Sequence, residues 1–333
     1  MELAGQRIVI TGATGFIGRN VTRVFLEQGA RVYALVRPGS PHLALLPEDG
    51  GLPGTRHIVA CSLEQVTDCV EAIGQADAFL HFAWGGVNRE EIDSPAVQAA
   101  NVAASLNCVE AARRLGCRVF MDAGSRVEYG ITENGVMEET MECHPVNEYG
   151  KAKLAFYRQA GPLCRKWNMT YYHLRFFSVY GTGDHPWSII STLVRELPEG
   201  QTVSLSACRH HWNFMDIEDA AQAVRWLFAQ AGNRQGETHI VNVASADTRE
   251  LKSFVEEIHR LCDGSGSLEF GTFVQAKEGA LSIRPVIDEL YRLTDGKWRE
   301  QYSFAEGIRR MLRQQLPADD LECQETKRRG EDR

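Results

Sequence analysis

The stretch RIVITGATGFIG, residues 7–18, joins a short apolar run to an amphipathic helical pattern. The run RIVI is apolar and β-branched, as a buried parallel strand requires, and the pattern FIGRNVTRVFLEQGA that begins at Phe16 is typical of a helix. Gly12, Gly15 and Gly18 therefore lie at a strand-to-helix junction. There the first glycine allows a tight turn, the second lets a pyrophosphate approach the backbone, and the third lets the helix pack closely on the strand. A second strand, RVYALV, follows at residues 31–36, so this stretch predicts a dinucleotide-binding βαβ unit.

Further apolar runs alternate with helical patterns along the chain. We expect strands at RHIVA, ADAFLHFAW, RVFMDAGS, MTYYHLRFFSVYG and ETHIVNVA. This alternation predicts an α/β fold, a Rossmann-like doubly wound parallel sheet with a smaller C-terminal substrate-binding lobe. We assign residues 1–180 to the NAD(P)-binding domain, with residues 208–245 returning to it, and residues 181–207 and 246–317 to the lobe. Residues 318–333 are highly charged, and we expect them to form a mobile tail.

Composition limits the classes of function. The chain has 333 residues, 44% of them hydrophobic, and a net charge of −8. This charge disfavours a general nucleic-acid or anionic-membrane binder. No window approaches the roughly 20 apolar residues of a membrane span, so we expect a cytoplasmic protein that acts on a small molecule.

The nine cysteines include no Cys-x-x-Cys pair, and we expect them to be free thiols in a reducing compartment. His210 and His211 are adjacent, and their side chains would diverge on a strand. No carboxylate or cysteine cluster completes a ligand set with them, so we predict no metal site.

Tyr149 and Lys153 lie four residues apart in the helical pattern containing YGKAK, and at that spacing they share one helix face. A free tyrosine has a pKa of about 10, which a nearby ammonium group would lower. Tyr149 would then exchange a proton with a substrate hydroxyl while a nicotinamide exchanges the hydride. Ser125 ends the predicted strand RVFMDAGS, where its hydroxyl would orient the same substrate oxygen.

The glycine spacing, together with HFAW, NVAAS, GSRVEYG, YGKAK, LRFFSVYG and GKWREQYSFAEGIRRML in this order, resembles the extended short-chain dehydrogenases/reductases. The resemblance runs from Met1 to about Leu316. Within that superfamily the chain is similar to NAD(P)-dependent nucleotide-sugar epimerases and dehydratases, including UDP-galactose 4-epimerases and CDP-abequose synthase-like 4-ketoreductases. Such proteins are oxidoreductases or isomerases.

The resemblance implies roles for individual residues. Tyr149 would be the acid/base, Lys153 would hold the nicotinamide ribose and lower the tyrosine pKa, Ser125 would match the family's Ser/Thr, and Asn101 would steady the site. The implied cofactor-binding residues are Gly12, Thr14, Gly15, Phe16, Ile17, Gly18, Arg37, Ser62, Leu63, Phe82, Ala83, Tyr149, Lys153 and Phe176. The substrate-binding candidates are Trp84, Ser125, Ser178, Arg209 and Arg284. The arginines are chosen because bidentate guanidinium groups suit a diphosphate.

The cofactor preference depends on the end of the second strand. An NAD enzyme is expected to have an acidic residue there that binds the ribose 2′-OH. This chain has Val36 and then Arg37, and an arginine suits a 2′-phosphate, with Arg19 placed to assist. We therefore favour NADP over NAD.

Several alternatives remain open. Arg126 and Val127 stand where the 4,6-dehydratases of the family have an acidic pair, so dehydration is disfavoured, and Glu128 is interpreted as structural. The reaction is either 4-epimerisation or 4-keto reduction of a nucleotide sugar. The alternatives are an NADPH-dependent reductase of a non-sugar carbonyl and a non-catalytic dinucleotide-binding regulator. Relatives commonly dimerise through the two helices that carry Asn101 and Tyr149, so we expect a homodimer.

Overall fold

The computed structural model describes residues 2–272 and 282–315. Its centre is a seven-stranded sheet in which every neighbouring pair is parallel. The sheet is formed by β1 (Arg7–Thr11), β2 (Arg31–Val36), β3 (Thr55–Ala60), β4 (Ala78–His81), β5 (Val119–Ser125), β7 (Thr170–Phe176) and β11 (Thr238–Val243). The strand order is β11-β7-β5-β4-β1-β2-β3. The predicted Rossmann-like parallel sheet is confirmed.

Helices cover both faces of this sheet. The helices are α1 (Phe16–Glu27), α2 (Val70–Ile73), α3 (Pro95–Arg114), α4 (Glu148–Lys166), α5 (Ile189–Glu196), α6 (Ile217–Gln230), α7 (Leu251–Leu261), α8 (Asp288–Leu293) and α9 (Phe304–Gln315). Apolar side chains of α1 and α6 pack on one face, and those of α3 and α4 pack on the other. The sheet is therefore doubly wound, with its strands buried between two helical layers.

The predicted strand MTYYHLRFFSVYG divides into two elements. β7 is buried along its whole length and ends at Phe176. The next backbone N–H, that of Phe177, donates to the carbonyl of Val243 in β11. The chain then leaves the central sheet, and β8 (Ser178–Tyr180) pairs with β10 (His211–Asp216), which also pairs with β12 (Thr248–Glu250).

A second group of elements builds a smaller hydrophobic core. It contains apolar residues of α5, α7 and α9. Two short parallel pairs complete the described strands, namely β9 (Thr202–Leu205) with β13 (Ser267–Phe270) and β6 (Val136–Met137) with β14 (Arg284–Pro285). The domain boundaries given above stay a prediction, and residues 318–333 lie outside the described residues.

Part of the C-terminal region packs on the central sheet. Trp298 is fully buried in the same core as α1 and α6. Its indole N–H donates to the backbone oxygen of Asp219 at 3.0 Å. The Asp219 carboxylate accepts hydrogen bonds from the backbone N–H groups of Gln301 at 2.9 Å and Tyr302 at 3.1 Å. The segment after α8 is thus tied to the start of α6.

The prediction that all cysteines are free thiols is wrong for one pair. Cys61 and Cys69 form a disulfide, with their Cα atoms 6.6 Å apart. They lie on either side of a short turn after β3, a proximity that a search for Cys-x-x-Cys spacing does not detect. Six other cysteines in the described residues are free and buried.

Two further observations concern surfaces. Within residues 2–272 and 282–315, no helix has the length and apolar character needed to cross a membrane.

Val109 of α3 and Phe156 of α4 are fully buried within the chain, so these side chains are used in intrachain packing. The homodimer stays a prediction.

Candidate active site

The glycine turn after β1 has the geometry that a dinucleotide requires. Gly12 has a φ of +67°, and a Cβ added there would lie 2.6 Å from the backbone nitrogen of Ala83. Gly18 has no room for a Cβ because the Gly12 carbonyl is in contact with it. Gly15 precedes α1 without a capping side chain, and the first turn of α1 has no acidic residue. The helix N-terminus is therefore free to accept an anion, and the residues present fit a pyrophosphate.

The other predicted cofactor residues lie along the same sheet edge. Because the strands are parallel, their carboxyl ends meet at one edge. Phe82 follows β4 and Phe176 ends β7, and their ring centroids are 6.4 Å apart. Thr14, Phe16 and Ile17 belong to the glycine turn or the first turn of α1, and Ser62 and Leu63 follow β3. The edge is thus lined from β3 across to β7.

The two arginines predicted to bind a 2′-phosphate have different surroundings. Arg37 follows β2, is exposed, and forms no side-chain hydrogen bond or ion pair with the described residues. Arg19 instead donates to the backbone oxygens of Gly183 at 2.5 Å and Thr182 at 3.4 Å. Of these two arginines, Arg37 is therefore the one whose guanidinium is available to a 2′-phosphate at the carboxyl end of β2.

Tyr149 and Lys153 lie on one face of α4. The helix begins at an Asn147 cap whose side chain accepts from the Gly150 N–H at 2.8 Å. The Ser125 side chain at the end of β5 lies close enough to Tyr149 to lower its pKa. Nζ of Lys153 donates to the backbone oxygen of Ala123 at 2.6 Å. The structure thus brings the predicted tyrosine, serine and lysine together.

The expected effect of Lys153 on Tyr149 is not what the structure shows. Burial raises the pKa of Tyr149 to about 12, although the nearby Ser125 side chain lowers it. Burial also lowers the pKa of Lys153 to about 8, against the opposing effect of Asp122 and Glu128. Burial has the largest effect on both pKa values, since Lys153 is buried and Tyr149 is partly buried. Burial therefore raises the Tyr149 pKa, against the expected lowering, and the effect of Lys153 on it stays a prediction.

Trp84 lies against this pair. Nζ of Lys153 is 3.7 Å from the centroid of the Trp84 ring, and the Trp84 and Tyr149 rings meet edge-on with centroids 6.2 Å apart. The indole N–H of Trp84 donates to the buried Gln98 side chain at 2.9 Å. Asn101 holds the adjacent loop, since its side chain accepts from the Gly85 N–H at 3.0 Å and donates to the Gly85 carbonyl at 2.9 Å. Asn101 lies inside α3, so its role here is to fix this loop.

The remaining substrate-binding candidates are less closely grouped. Ser178 begins β8 and pairs with Phe214 in β10. Arg209 and Arg284 are both exposed. Nη2 of Arg284 lies 3.0 Å from Nδ1 of His211, which places Arg284 near the start of β10.

Comparison with protein-family models agrees with the glycine turn and the strand-end side chains. Residues 8–244 match the model of the NAD dependent epimerase/dehydratase family.

The chain belongs to this family.

Named relatives of this epimerase/dehydratase-family enzyme act on nucleotide sugars. It is 30% identical over 259 residues to dTDP-6-deoxy-L-talose 4-dehydrogenase (NAD(+)) of Aggregatibacter actinomycetemcomitans, covering 76% of this chain and 89% of that protein. It is 23% identical to CDP-abequose synthase of Yersinia pseudotuberculosis, covering 80% of this chain and 89% of that protein. Among solved structures, MoeE5 in complex with UDP-glucuronic acid and NAD is 25% identical, with a TM-score of 0.77, and the match covers 93% of this chain and all of that one. The predicted family and NAD(P) dependence are confirmed.

The sequence interpretation missed a buried charged network behind the active site of this family member. Nδ1 of His173 lies 2.9 Å from Oδ1 of Asp122, and its Nε2 lies 2.8 Å from Oε2 of Glu128. Nε of Arg175 donates to the same Glu128 oxygen at 3.1 Å. The other Glu128 oxygen accepts from the Ser125 backbone N–H at 2.7 Å. The available signal was the pair of basic residues inside the otherwise buried strand TYYHLRF.

Proposed function

We propose that this enzyme transfers hydride at carbon 4 of a nucleoside-diphosphate sugar, as a 4-epimerase or a 4-keto reductase. The observation that carries the proposal is the grouping of Ser125 and Tyr149 with the buried Lys153, which lies one helical turn further along α4 with Nζ 5.7 Å from the Tyr149 ring centroid. These three residues lie at the carboxyl end of β5, on the sheet edge that also carries the glycine turn. The names of the relatives support a nucleotide sugar as substrate.

The roles of the side chains follow from their protonation. A raised pKa keeps the Tyr149 phenol protonated near neutral pH, which is the form that donates a proton to a ketone oxygen. Ser125 is placed to hydrogen-bond the same oxygen. The dinucleotide, when bound, supplies the hydride donor or acceptor. Epimerase and reductase share this step and differ in whether the hydride returns to the same sugar.

We favour NADP as the dinucleotide. The support is Arg37, an exposed guanidinium without a side-chain partner among the described residues, placed after Val36 at the end of β2. An arginine at this position accommodates a ribose 2′-phosphate.

The first experiment identifies the dinucleotide. The purified protein is denatured and any released dinucleotide is identified by mass spectrometry. Retained NAD(H) would support an epimerase and contradict the NADP preference. An empty protein that binds NADPH more tightly than NADH would support a reductase.

Activity is then measured with nucleotide sugars, 4-keto nucleotide sugars and non-sugar carbonyls. Tyr149→Phe is expected to reduce turnover by about 10²- to 10⁴-fold, because it removes the transferred proton. Tyr302→Phe is the matched control, since this exposed tyrosine lies outside the site. Turnover of the carbonyls alone would replace the proposal with the non-sugar reductase. An unchanged rate in Tyr149→Phe would exclude the proposed acid/base role.

A further inference from the structure

Three nitrogen groups beside the active site have no hydrogen-bond partner among the described residues. They are the guanidinium of Arg126, Nε2 of His210 and Nε1 of Trp212, which we call the donor cluster. The Arg126 guanidinium lies over the Trp212 ring at 5.0 Å from its centroid. The His210 and Trp212 rings meet edge-on with centroids 5.3 Å apart. Nitrogen groups that can donate hydrogen bonds are therefore concentrated here without acceptors in the described part of the chain, His210 donating when its Nε2 carries the proton.

Arg126 is the charged member of the donor cluster. Its side chain forms no ion pair in the part of the chain that the structure describes, and its guanidinium lies over the Trp212 ring. The nearest carboxylate along the chain, Glu128, is already occupied by Ser125, His173 and Arg175. Burial lowers the pKa of the Arg126 guanidinium, and no acidic neighbour offsets this effect. A partly buried charge without a counterion is costly, so a bound anion would be stabilising here.

The position of Arg126 indicates which part of a substrate it meets. Arg126 directly follows Ser125, and consecutive Cα atoms are about 3.8 Å apart. Ser125 lies close to Tyr149, and this pair faces the oxygen on the reacting carbon under the proposed function. On the other side, Trp212 lies two residues before Phe214, the β10 partner of Ser178. A group bound by the donor cluster is therefore attached close to the reacting carbon, at the sugar end of the substrate.

In a hexopyranose, carbon 6 is joined to carbon 4 through carbon 5, whereas the diphosphate is attached across the ring at carbon 1. We propose that the donor cluster binds a carboxylate at carbon 6, so that the preferred substrate is a nucleoside-diphosphate uronic acid. This inference rests on the proposed function. A planar guanidinium pairs with a carboxylate through two parallel hydrogen bonds. A neutral hydroxymethyl group at carbon 6 accepts a hydrogen bond but leaves the Arg126 charge unbalanced.

The test compares two ligands that differ only at carbon 6. UDP-glucuronate and UDP-glucose are titrated calorimetrically into the full-length protein loaded with dinucleotide, in a Tyr149→Phe background chosen to slow turnover during the titration. Because the nucleotide and diphosphate are shared, the ratio of the two affinities does not depend on which nucleotide the enzyme prefers. The uronate is expected to bind about 10- to 100-fold more tightly, as for a hydrogen bond between charged groups.

Arg126→Gln should abolish this preference and leave UDP-glucose affinity within about twofold. Arg126→Lys keeps the charge but loses the planar fork, and it should retain part of the preference. Arg260→Gln is the control, since Arg260 is exposed on α7, and it should keep the full preference. Thermal unfolding and dinucleotide affinity establish that each variant is folded.

Equal affinities for the two ligands in the Tyr149→Phe protein with Arg126 intact, or a preference that survives Arg126→Gln, would overturn the inference. The outcomes also separate it from the proposed function. Turnover of a neutral nucleotide sugar without any uronate preference would keep the proposed function and remove the inference. No binding of UDP-glucuronate, UDP-glucose or UDP, together with turnover of non-sugar carbonyls, would remove both.

Discussion

The Glu128 carboxylate accepts a hydrogen bond from the backbone N–H of Ser125 at 2.7 Å, inside the protein. Its second oxygen faces His173 and Arg175. The side chain that fixes the candidate catalytic serine is therefore itself fixed by two cations. This arrangement makes Glu128 a positioning residue for Ser125.

Glu128→Gln should lower both stability and turnover. Removing one member of a buried ion pair leaves an uncompensated charge and costs about 3–5 kcal/mol. We expect a loss of this size in the free energy of unfolding, measured by urea denaturation, and a lower kcat because Ser125 is less well held. Glu269→Gln, on the small β9–β13 pair, is the control and should leave both unchanged. A stable variant with unaltered kcat would exclude the positioning role.

Stability should depend on pH through His173. Burial lowers the pKa of His173, but Asp122 and Glu128 outweigh it and raise the pKa to about 9. The unfolded chain has a histidine pKa of about 6.5. The folded state therefore binds this proton more tightly, and the resulting stability is complete below about pH 6.5 and is lost as the pH rises through about 9.

We expect the free energy of unfolding to fall by up to about 3 kcal/mol between pH 6.5 and 9. His173→Gln should show a flatter profile over the same range. Urea denaturation at intervals of half a pH unit measures both. Parallel profiles for the two proteins would show that another group is responsible.

The Trp84 ring should help to keep Lys153 charged. A cation over an aromatic ring is stabilised by about 0.5–2 kcal/mol. Trp84→Leu removes the ring, so the pKa of Lys153 should fall below its present value of about 8. If Lys153 holds the dinucleotide, the affinity for dinucleotide should then weaken at a pH about half a unit to one unit lower than in the parent protein.

Fluorescence titration across pH 6–9 measures this shift. Trp226→Leu is the matched control because Trp226 also stacks with a cation, Arg225, at 3.9 Å from the ring centroid. Its pH profile should equal that of the parent protein. Coincident profiles for Trp84→Leu and the parent would contradict the prediction.

Substitutions at two glycines of the turn, Gly15 and Gly18, should distinguish a loss of dinucleotide affinity from a loss of stability. At Gly15 an added Cβ meets only the Gly12 carbonyl oxygen, at 3.2 Å, and φ is an ordinary −75°. Gly15→Ala should change the free energy of unfolding by less than about 1 kcal/mol, yet it should weaken dinucleotide binding at least about tenfold because a pyrophosphate must approach there.

Gly18→Ala should instead destabilise the fold, since its Cβ would contact the Gly12 backbone. Urea denaturation and dinucleotide titration of both variants test the distinction. Equal losses of stability in the two variants would contradict it.

Local signals in the sequence were sufficient to predict the sheet and the Tyr149–Lys153 pair. The glycine turn and the helical spacing each lie within a few residues. The His173 network and the stacking of Arg126 on Trp212 join residues far apart in the chain, so their formation depends on strand order and on where β10 packs. The break after Phe176 likewise depends on a hydrogen bond to β11. Burial reversed the expected direction of the Tyr149 pKa, and burial is a property of the folded chain.

The packing of Trp298 against the central sheet determines when the core beneath α1 and α6 can be completed during synthesis. A ribosome synthesises the glycine turn first and Trp298 among the last described residues, yet both belong to structures on the same sheet. During synthesis the core beneath α1 and α6 stays uncovered at the Trp298 position until nearly the whole chain has emerged. A gene fragment that stops after β11 would therefore encode a protein whose apolar surface at the Trp298 position is exposed.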